Sequence, residues 1–171
     1  MNKSFKFRLY PTAKQEELLN KHFGCVRWIY NYGLNKKMTA YQVDKTSISR
    51  FELSKDLPLL KKTIAPWLSE VIAQSLQSSL ENLEKAYTGF FKDKKNFPKF
   101  KSKHKSKQMV GFPQNTKIDF EKGKVSVNKI GWLRARISRE FDGKIKTATV
   151  EKTATGKFFI SITVELPDVK I

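Results

Sequence analysis

The sequence is poor in cysteine and in long apolar runs. Cys25 is the one cysteine among 171 residues, which excludes an internal disulfide framework and a thiolate-rich zinc site, as expected for a reducing cytoplasm. No run of about 18 apolar residues is present, and the N-terminus lacks the apolar segment of a secretory signal. We therefore expect a soluble, cytoplasmic protein without a membrane partner.

Patterns that carry catalysis or bind metals are also missing. The two histidines, His22 and His104, have no cysteine or acidic residue at ligand spacing. The sequence has no glycine-rich phosphate loop, no nucleophile elbow and no H-E-x-x-H motif. Its acids are scattered among lysines, whereas two-metal phosphodiester cleavage needs several carboxylates that converge. We expect no catalytic site, no metal site and no cofactor in this chain.

Positive charge is what the sequence has in excess. The 34 Lys and Arg residues outnumber the 16 Asp and Glu residues, which gives a formal net charge of +18. Such a surface attracts polyanions, and nucleic acid, an anionic membrane or an acidic protein would all fit its sign. The 13 Phe and 3 Trp residues argue against a disordered basic tail. The composition therefore favours a folded, nucleic-acid-binding chain.

Hydrophobic periodicity predicts a short strand followed by helices. Residues 4–10 alternate between apolar and polar side chains, which predicts a strand with an apolar face and a cationic face that includes Arg8. Thr12 and Gln15 form a capping box, and a long helix is expected from there to about Tyr41.

Two more helices are predicted before the composition changes. A shorter helix is expected over residues 49–61 and a second long helix over residues 68–92, where leucines and aromatic residues recur at helical spacing. Pro58 and Pro66 are expected to break or restart the chain between them.

The last third of the sequence predicts short strands. These runs are residues 110–113, 116–120, 124–127, 132–137, 144–152 and 157–166. Residues 121–123 and 153–156 are predicted hairpin turns. Because the first strand is too short to be stable alone, we expect it to join these strands. The expected fold class is α+β, a small antiparallel barrel with the helical region inserted after the first strand.

Residues 92–107 carry the strongest functional signal, since they contain eight lysines and one acid. A lysine that neutralises a phosphate releases condensed counterions, which gives binding that weakens with salt. Phe97 and Phe100 are interleaved with the lysines, so the segment can also dock through its rings. The alternatives are a solvated loop and rings that anchor in the protein's own core. The candidate contacts are Lys92, Lys94, Lys95, Lys99, Lys101, Lys103, Lys105 and Lys107.

The two long helices offer further candidates. Gln74, Gln77 and Ser78 stand at i, i+3 and i+4, so they can present polar groups together to a groove. Glutamine can pair with adenine through two hydrogen bonds, although a merely solvated polar face would have the same pattern. On the first long helix, Arg27 and Asn31 are candidate phosphate contacts.

Five fragments, in matching order and spacing, resemble the start of TnpB proteins, also called OrfB transposases, which are RNA-guided nucleases of bacterial insertion sequences. The fragments are residues 6–12 (KFRLYPT), 23–31 (FGCVRWIYN), 67–71 (WLSEV), 90–91 (FF) and 97–103 (FPKFKSK). The likeness covers essentially the whole chain, and the five fragments together are far more specific than any one of them.

The resemblance implies a division into domains. Residues 1–11 and 109–171 would form a wedge domain, an oligonucleotide-binding-like barrel, and residues 12–108 a helical recognition domain with a basic linker. The family uses these domains to hold a transposon-end guide RNA and its target DNA, and to read a short motif beside the target.

The motif that family members read does not transfer to this sequence. Gln77 falls on a family reading position with the expected residue type. Arg50, Ala73, Gln74 and Pro113 stand at neighbouring reading positions with different chemistry. Arg50 is therefore included among the candidate nucleic-acid contacts without an assigned base.

Family members continue beyond the length of this chain into a RuvC-like nuclease with three metal-binding acids. The resemblance therefore implies a truncated protein, associated with the bacterial nucleoid, that binds guide RNA and DNA without cleaving. Two alternatives stay open. One is a DNA-only regulator of helix-turn-helix type, and the other is the recognition subunit of a split nuclease, with a nuclease-domain chain as its partner.

Overall fold

The structure is a computed structural model that describes residues 1–167. Its elements are β1 (Asn2–Tyr10), α1 (Ala13–Asp44), α2 (Arg50–Lys62), a 3-10 helix (Pro66–Glu70), α3 (Ala73–Asp93), β2 (Gln108–Phe112), β3 (Lys117–Asp119), β4 (Lys124–Val127), β5 (Gly131–Arg136), β6 (Lys144–Lys152) and β7 (Phe158–Glu165). The α+β class and the predicted order of strand, helices and strands are confirmed.

The strands form one antiparallel seven-stranded sheet in the order β2-β6-β7-β1-β5-β4-β3. β1 lies between β7 and β5, with Phe7 opposite Ile160 and Leu9 opposite Ala135, so the first strand joins the C-terminal strands as expected. Within residues 1–167 no pairing connects β2 with β3. The sheet is therefore open, and the closed barrel that we expected is not formed. The edge strand β3 has only three residues, too few to pair on both sides over a useful length.

Both predicted hairpin turns are confirmed, because β3 pairs with β4 and β6 pairs with β7 in antiparallel register. Each turn contains a glycine with positive φ, Gly123 at +64° and Gly156 at +84°. A side chain at such a backbone angle is strained, which explains why glycine stands there.

The helices start and end close to the predicted residues, with two corrections. The capping box of α1 is present, since Thr12 N–H donates to Gln15 Oε1 over 3.0 Å and Gln15 N–H donates to Thr12 Oγ1 over 3.2 Å. Pro58 lies inside α2 and does not break it, because only one backbone bond is lost and the buried side chains on either side hold the turn. α3 begins at Ala73 and not at residue 68, since Pro66 starts a separate 3-10 helix.

The chain divides into two compact units. The sheet unit contains Met1–Phe23 and the chain from Lys107 onwards, and the helical unit contains Gly24–Ser106. In the sheet unit, Phe23 of α1 packs on Phe158 with ring centroids 6.4 Å apart. No helix in the described part of the chain is long and apolar enough to cross a membrane.

The helical unit has its own core of buried side chains from α1, α2 and α3. Gly33 of α1 permits close packing there, because a Cβ at this position would lie 2.7 Å from Leu83 Cδ2. Ser79 Oγ of α3 donates to the Val26 carbonyl of α1 over 2.6 Å. These contacts fix α3 against α1 and so position the chain that follows α3.

Candidate nucleic-acid interface

The basic segment, residues 94–106, begins where α3 ends. Lys94 has a left-handed backbone conformation with φ +54°, and Lys95 N–H donates to the Gly89 carbonyl over 3.3 Å. This closes the helix at its C-terminus in the usual way for a left-handed cap. From there to Ser106 the chain has no helix or strand, so its position depends on side-chain contacts.

Asn31 of α1 holds the middle of the basic segment through the backbone of Lys101. Its Oδ1 accepts from Lys101 N–H over 2.8 Å, and its Nδ2 donates to the Lys101 carbonyl over 2.9 Å. The Lys101 ammonium lies 4.1 Å from the centroid of the buried Tyr30 ring, and burial lowers the pKa of Lys101. Both polar atoms of Asn31 are used inside the protein, which favours a positioning role over the phosphate contact that we expected.

Aromatic packing holds the N-terminal part of the segment. The Phe97 ring lies 5.6 Å from Tyr87 and 5.0 Å from Phe90 between centroids, and Pro98 is buried. Phe97 is thus an anchor in the protein's own core, which was one of the two open alternatives. Phe100 keeps 52% of its surface exposed and is free to contact a ligand.

A turn orders the C-terminal part of the segment. Ser102 N–H donates to Ser106 Oγ over 2.9 Å, and Lys105 N–H donates to Ser102 Oγ over 3.0 Å. The segment is therefore an ordered basic loop with contacts at both ends and in the middle.

Six of the eight predicted lysines are exposed and form no ion pair with any residue of the described chain. They are Lys92, in the last turn of α3, and Lys94, Lys95, Lys99, Lys103 and Lys105 of the basic loop. The other two differ, because Lys101 is half-buried over Tyr30 and Lys107 pairs with Glu151 at 2.6 Å in the sheet unit. Uncompensated ammonium groups on one ordered loop are suited to contact a polyanion.

The polar face of α3 is accessible, but the positive charge of Arg50 is already compensated by two glutamates of α3. Gln77 is exposed, and Gln74 and Ser78 are half-buried. Arg50, at the start of α2, lies with Nη1 3.1 Å from Glu81 and Nε 3.3 Å from Glu84. A phosphate at Arg50 would have to displace these carboxylates, so the structure favours a structural role for it.

The remaining predicted residues lie on different parts of the fold. Arg27 is half-buried on α1 and makes no ion pair within residues 1–167. Arg8 belongs to the sheet unit, where its guanidinium lies 5.0 Å from the Tyr10 ring centroid and 5.7 Å from that of Phe159. The structure thus groups the exposed lysines in the helical unit and places Arg8 and Lys107 in the other unit.

Sequence reasoning missed two arginines of β5, Arg134 and Arg136. Both are exposed, while Leu133 before them and Ala135 between them are buried. This alternation of basic and apolar residues was visible in the sequence and could have identified them. Within the described residues, no group of three or more His, Cys, Asp or Glu side chains could hold a metal ion.

Residues 1–46 match the family model of the OrfB-type helix-turn-helix domain. In the structure, this range contains one strand and one helix, β1 and α1, followed by the start of the connection to α2. The first pair of successive helices is therefore α1 and α2, joined by residues 45–49.

Curated relatives extend the similarity over the chain. It is 34% identical over 163 residues to "Putative RNA-guided DNA endonuclease InsQ" of Escherichia coli (strain K12), covering 95% of this chain and 40% of that protein. It is 31% identical over 169 residues to a "Putative RNA-guided DNA endonuclease" of Streptomyces pristinaespiralis, covering 96% and 42%. It is also 36% identical over 114 residues to "Virulence protein VsdF" of Salmonella dublin, covering 61% and 96%.

The chain spans about two fifths of the length of the two relatives named as endonucleases. The match nevertheless includes nearly all of this chain, and the family model matches its N-terminal residues. The chain belongs to the TnpB family.

Proposed function

We propose that this chain binds guide RNA and target DNA as the recognition part of a TnpB-like protein. The names of two relatives, both RNA-guided DNA endonucleases, support this choice of ligands. In this proposal the helical unit is the recognition domain and the sheet unit corresponds to the wedge domain, with an oligonucleotide-binding-like fold. We assign recognition, and no cleavage step, to these residues.

The observation that carries the proposal is the ordered basic loop. Asn31 and Phe97 fix its backbone, so the chain that carries its five exposed lysines does not have to be ordered when a ligand binds. Binding to a preorganised surface loses less conformational entropy than binding to a flexible tail. Gln77, exposed near the start of α3, is available to contact base edges.

The test is equilibrium binding of the purified chain over a salt series, by fluorescence anisotropy. A labelled structured RNA and a labelled DNA duplex are measured separately. We expect the logarithm of the affinity for RNA to fall linearly with the logarithm of the salt concentration, by about 0.7 to 0.9 per neutralised phosphate. Affinity that does not change with salt would contradict the proposal. Tight duplex binding without RNA binding would instead favour the DNA-only regulator.

A further inference from the structure

The face of the sheet opposite its apolar core carries a row of side chains that the basic loop does not include. Glu151 on β6, Phe159 on β7, Arg8 on β1 and Arg136 on β5 stand opposite one another in adjacent strands. Residues directly opposite in an antiparallel pair lie on the same face. The side chains next to them along each strand point into the core, as Leu9 does.

Two aromatic rings on this face lie close to cationic groups. The Tyr10 ring, with 36% of the residue exposed, has the Arg8 guanidinium at 5.0 Å and the Arg134 guanidinium at 5.1 Å from its centroid. The Phe159 ring has Lys6 Nζ at 5.1 Å and Arg8 at 5.7 Å. Rings next to guanidinium groups offer both a stacking surface and donors for phosphate oxygens.

The negative charge of the one acid in the row is already compensated by two lysines. Glu151 pairs with Lys6 at 2.5 Å and with Lys107 at 2.6 Å. Burial alone would raise the pKa of Glu151, but the hydrogen bonds from Lys107 and Lys6 outweigh it and lower that pKa. Glu151 therefore remains ionised and bound to its two lysines, and it does not compensate the neighbouring arginines.

Three guanidinium groups on this face lack an acidic partner within residues 1–167. They are Arg8, Arg134 and Arg136. The Nε of Arg8 is also buried without a hydrogen-bond partner in the described chain. A planar guanidinium matches the geometry of a phosphate better than an ammonium does. The positive charge on this face is therefore suited to bind the phosphate groups along a nucleic-acid backbone.

We propose that this face of the sheet binds unpaired nucleotides, with bases stacked on Tyr10 and Phe159 and phosphates held by Arg8, Arg134 and Arg136. Stacking requires bases that are not already stacked within a duplex, so the ligand is a single-stranded segment of RNA or DNA. The inference rests on the proposed function only in that the chain binds nucleic acid. It adds a second site, in the sheet unit, with a preference for single strands.

The test compares variants in binding to labelled oligonucleotides of about twelve nucleotides, a length within the usual range for such sites. Single-stranded RNA, single-stranded DNA and a DNA duplex form the three arms. We expect Tyr10→Ala to weaken single-strand binding about tenfold or more and to leave duplex binding unchanged, because one stacked base is lost. Tyr10→Phe keeps the ring and should bind like the parent. The two single-strand arms identify which polynucleotide the face prefers.

The matched control is Tyr41→Ala in the helical unit. Tyr41 is also an exposed tyrosine with a cation over its ring, Lys45 Nζ at 4.7 Å. Because Tyr41 does not belong to the proposed face of the sheet, its removal should not change single-strand binding. If Tyr10→Ala binds single strands as tightly as the parent while salt-dependent binding persists, this inference is wrong and the proposed function stands. If the parent binds no nucleic acid, both fail.

A second measurement uses the unmodified chain and so does not depend on the folding of a variant. An oligonucleotide containing 5-iodouracil is irradiated in the complex, and the cross-linked peptide is identified by mass spectrometry. Cross-links to the strands that carry Tyr10 or Phe159 support the inference. Cross-links confined to the helical unit overturn it.

Discussion

Replacement of Asn31 by alanine should release the basic loop from α1. The substitution removes both hydrogen bonds to the Lys101 backbone, at 2.8 and 2.9 Å. Each contributes about 0.5 to 1.5 kcal/mol net, so the ordered loop loses about 1 to 3 kcal/mol. If this ordering has to be restored when a polyanion binds, the affinity falls by roughly five- to a hundredfold, since 1.4 kcal/mol is about a factor of ten.

Two measurements on the same protein separate positioning from direct contact. Hydrogen exchange of the Lys101 amide reports the clamp, and anisotropy with labelled RNA reports binding. We expect Asn31→Ala to lose exchange protection at Lys101 and affinity together. Asn31→Asp keeps the acceptor for Lys101 N–H but places an oxygen against the Lys101 carbonyl, so it should lose at least one bond. Asn35→Ala, an exposed position one turn further along α1, is the control and should change neither quantity.

If Asn31→Ala leaves the Lys101 amide as protected as in the parent, the side chain does not hold the loop. If protection is unchanged and RNA binding nevertheless weakens, Asn31 contacts the ligand itself, as the sequence first suggested.

Two further predictions concern stability. Ser79→Ala removes the buried bond to the Val26 carbonyl and should lower the free energy of unfolding by about 1 kcal/mol in denaturant titration; an unchanged value would show that this bond does not stabilise α3. His22 is buried, which lowers its pKa below the ordinary 6.5. The unfolded chain therefore binds the extra proton first, and stability should fall as pH decreases through 6.5 towards the folded pKa. Thermal melting at about pH 7.5 and about pH 5.5 should show this loss, and His22→Gln should reduce it; equal pH dependence in both proteins would contradict the assignment.

The sequence predicted those parts of the fold that depend on local pattern. Residues 4–10 alternate because one face of the sheet is buried, and a buried face is visible as period two. The capping box at Thr12 and Gln15 is local as well, since its two bonds join residues three apart. Closure of the sheet is a different kind of property, because it depends on whether the edge strands β2 and β3, which follow each other in the sequence but lie at opposite ends of the sheet, come into register.

The candidate site shows the same division. The lysines could be found by composition, but which of them are exposed depends on contacts such as that of Asn31 with Lys101, 70 residues apart. Arg50 could not be recognised as neutralised, because Glu81 and Glu84 reach it from another helix. Helical spacing alone therefore could not separate the side chains that are free for a ligand from those already used within the fold.

The most direct test of the central claim compares two double variants that remove equal charge from the helical unit. One replaces Lys103 and Lys105 of the basic loop with alanine, and the other replaces Lys55 and Lys62, exposed on α2. The loop variant should bind RNA more weakly, and its slope against the logarithm of salt should be smaller by about 1.4 to 1.8. The α2 variant should keep the parent slope. Equal slopes for the two variants would show that nucleic acid does not bind at the basic loop.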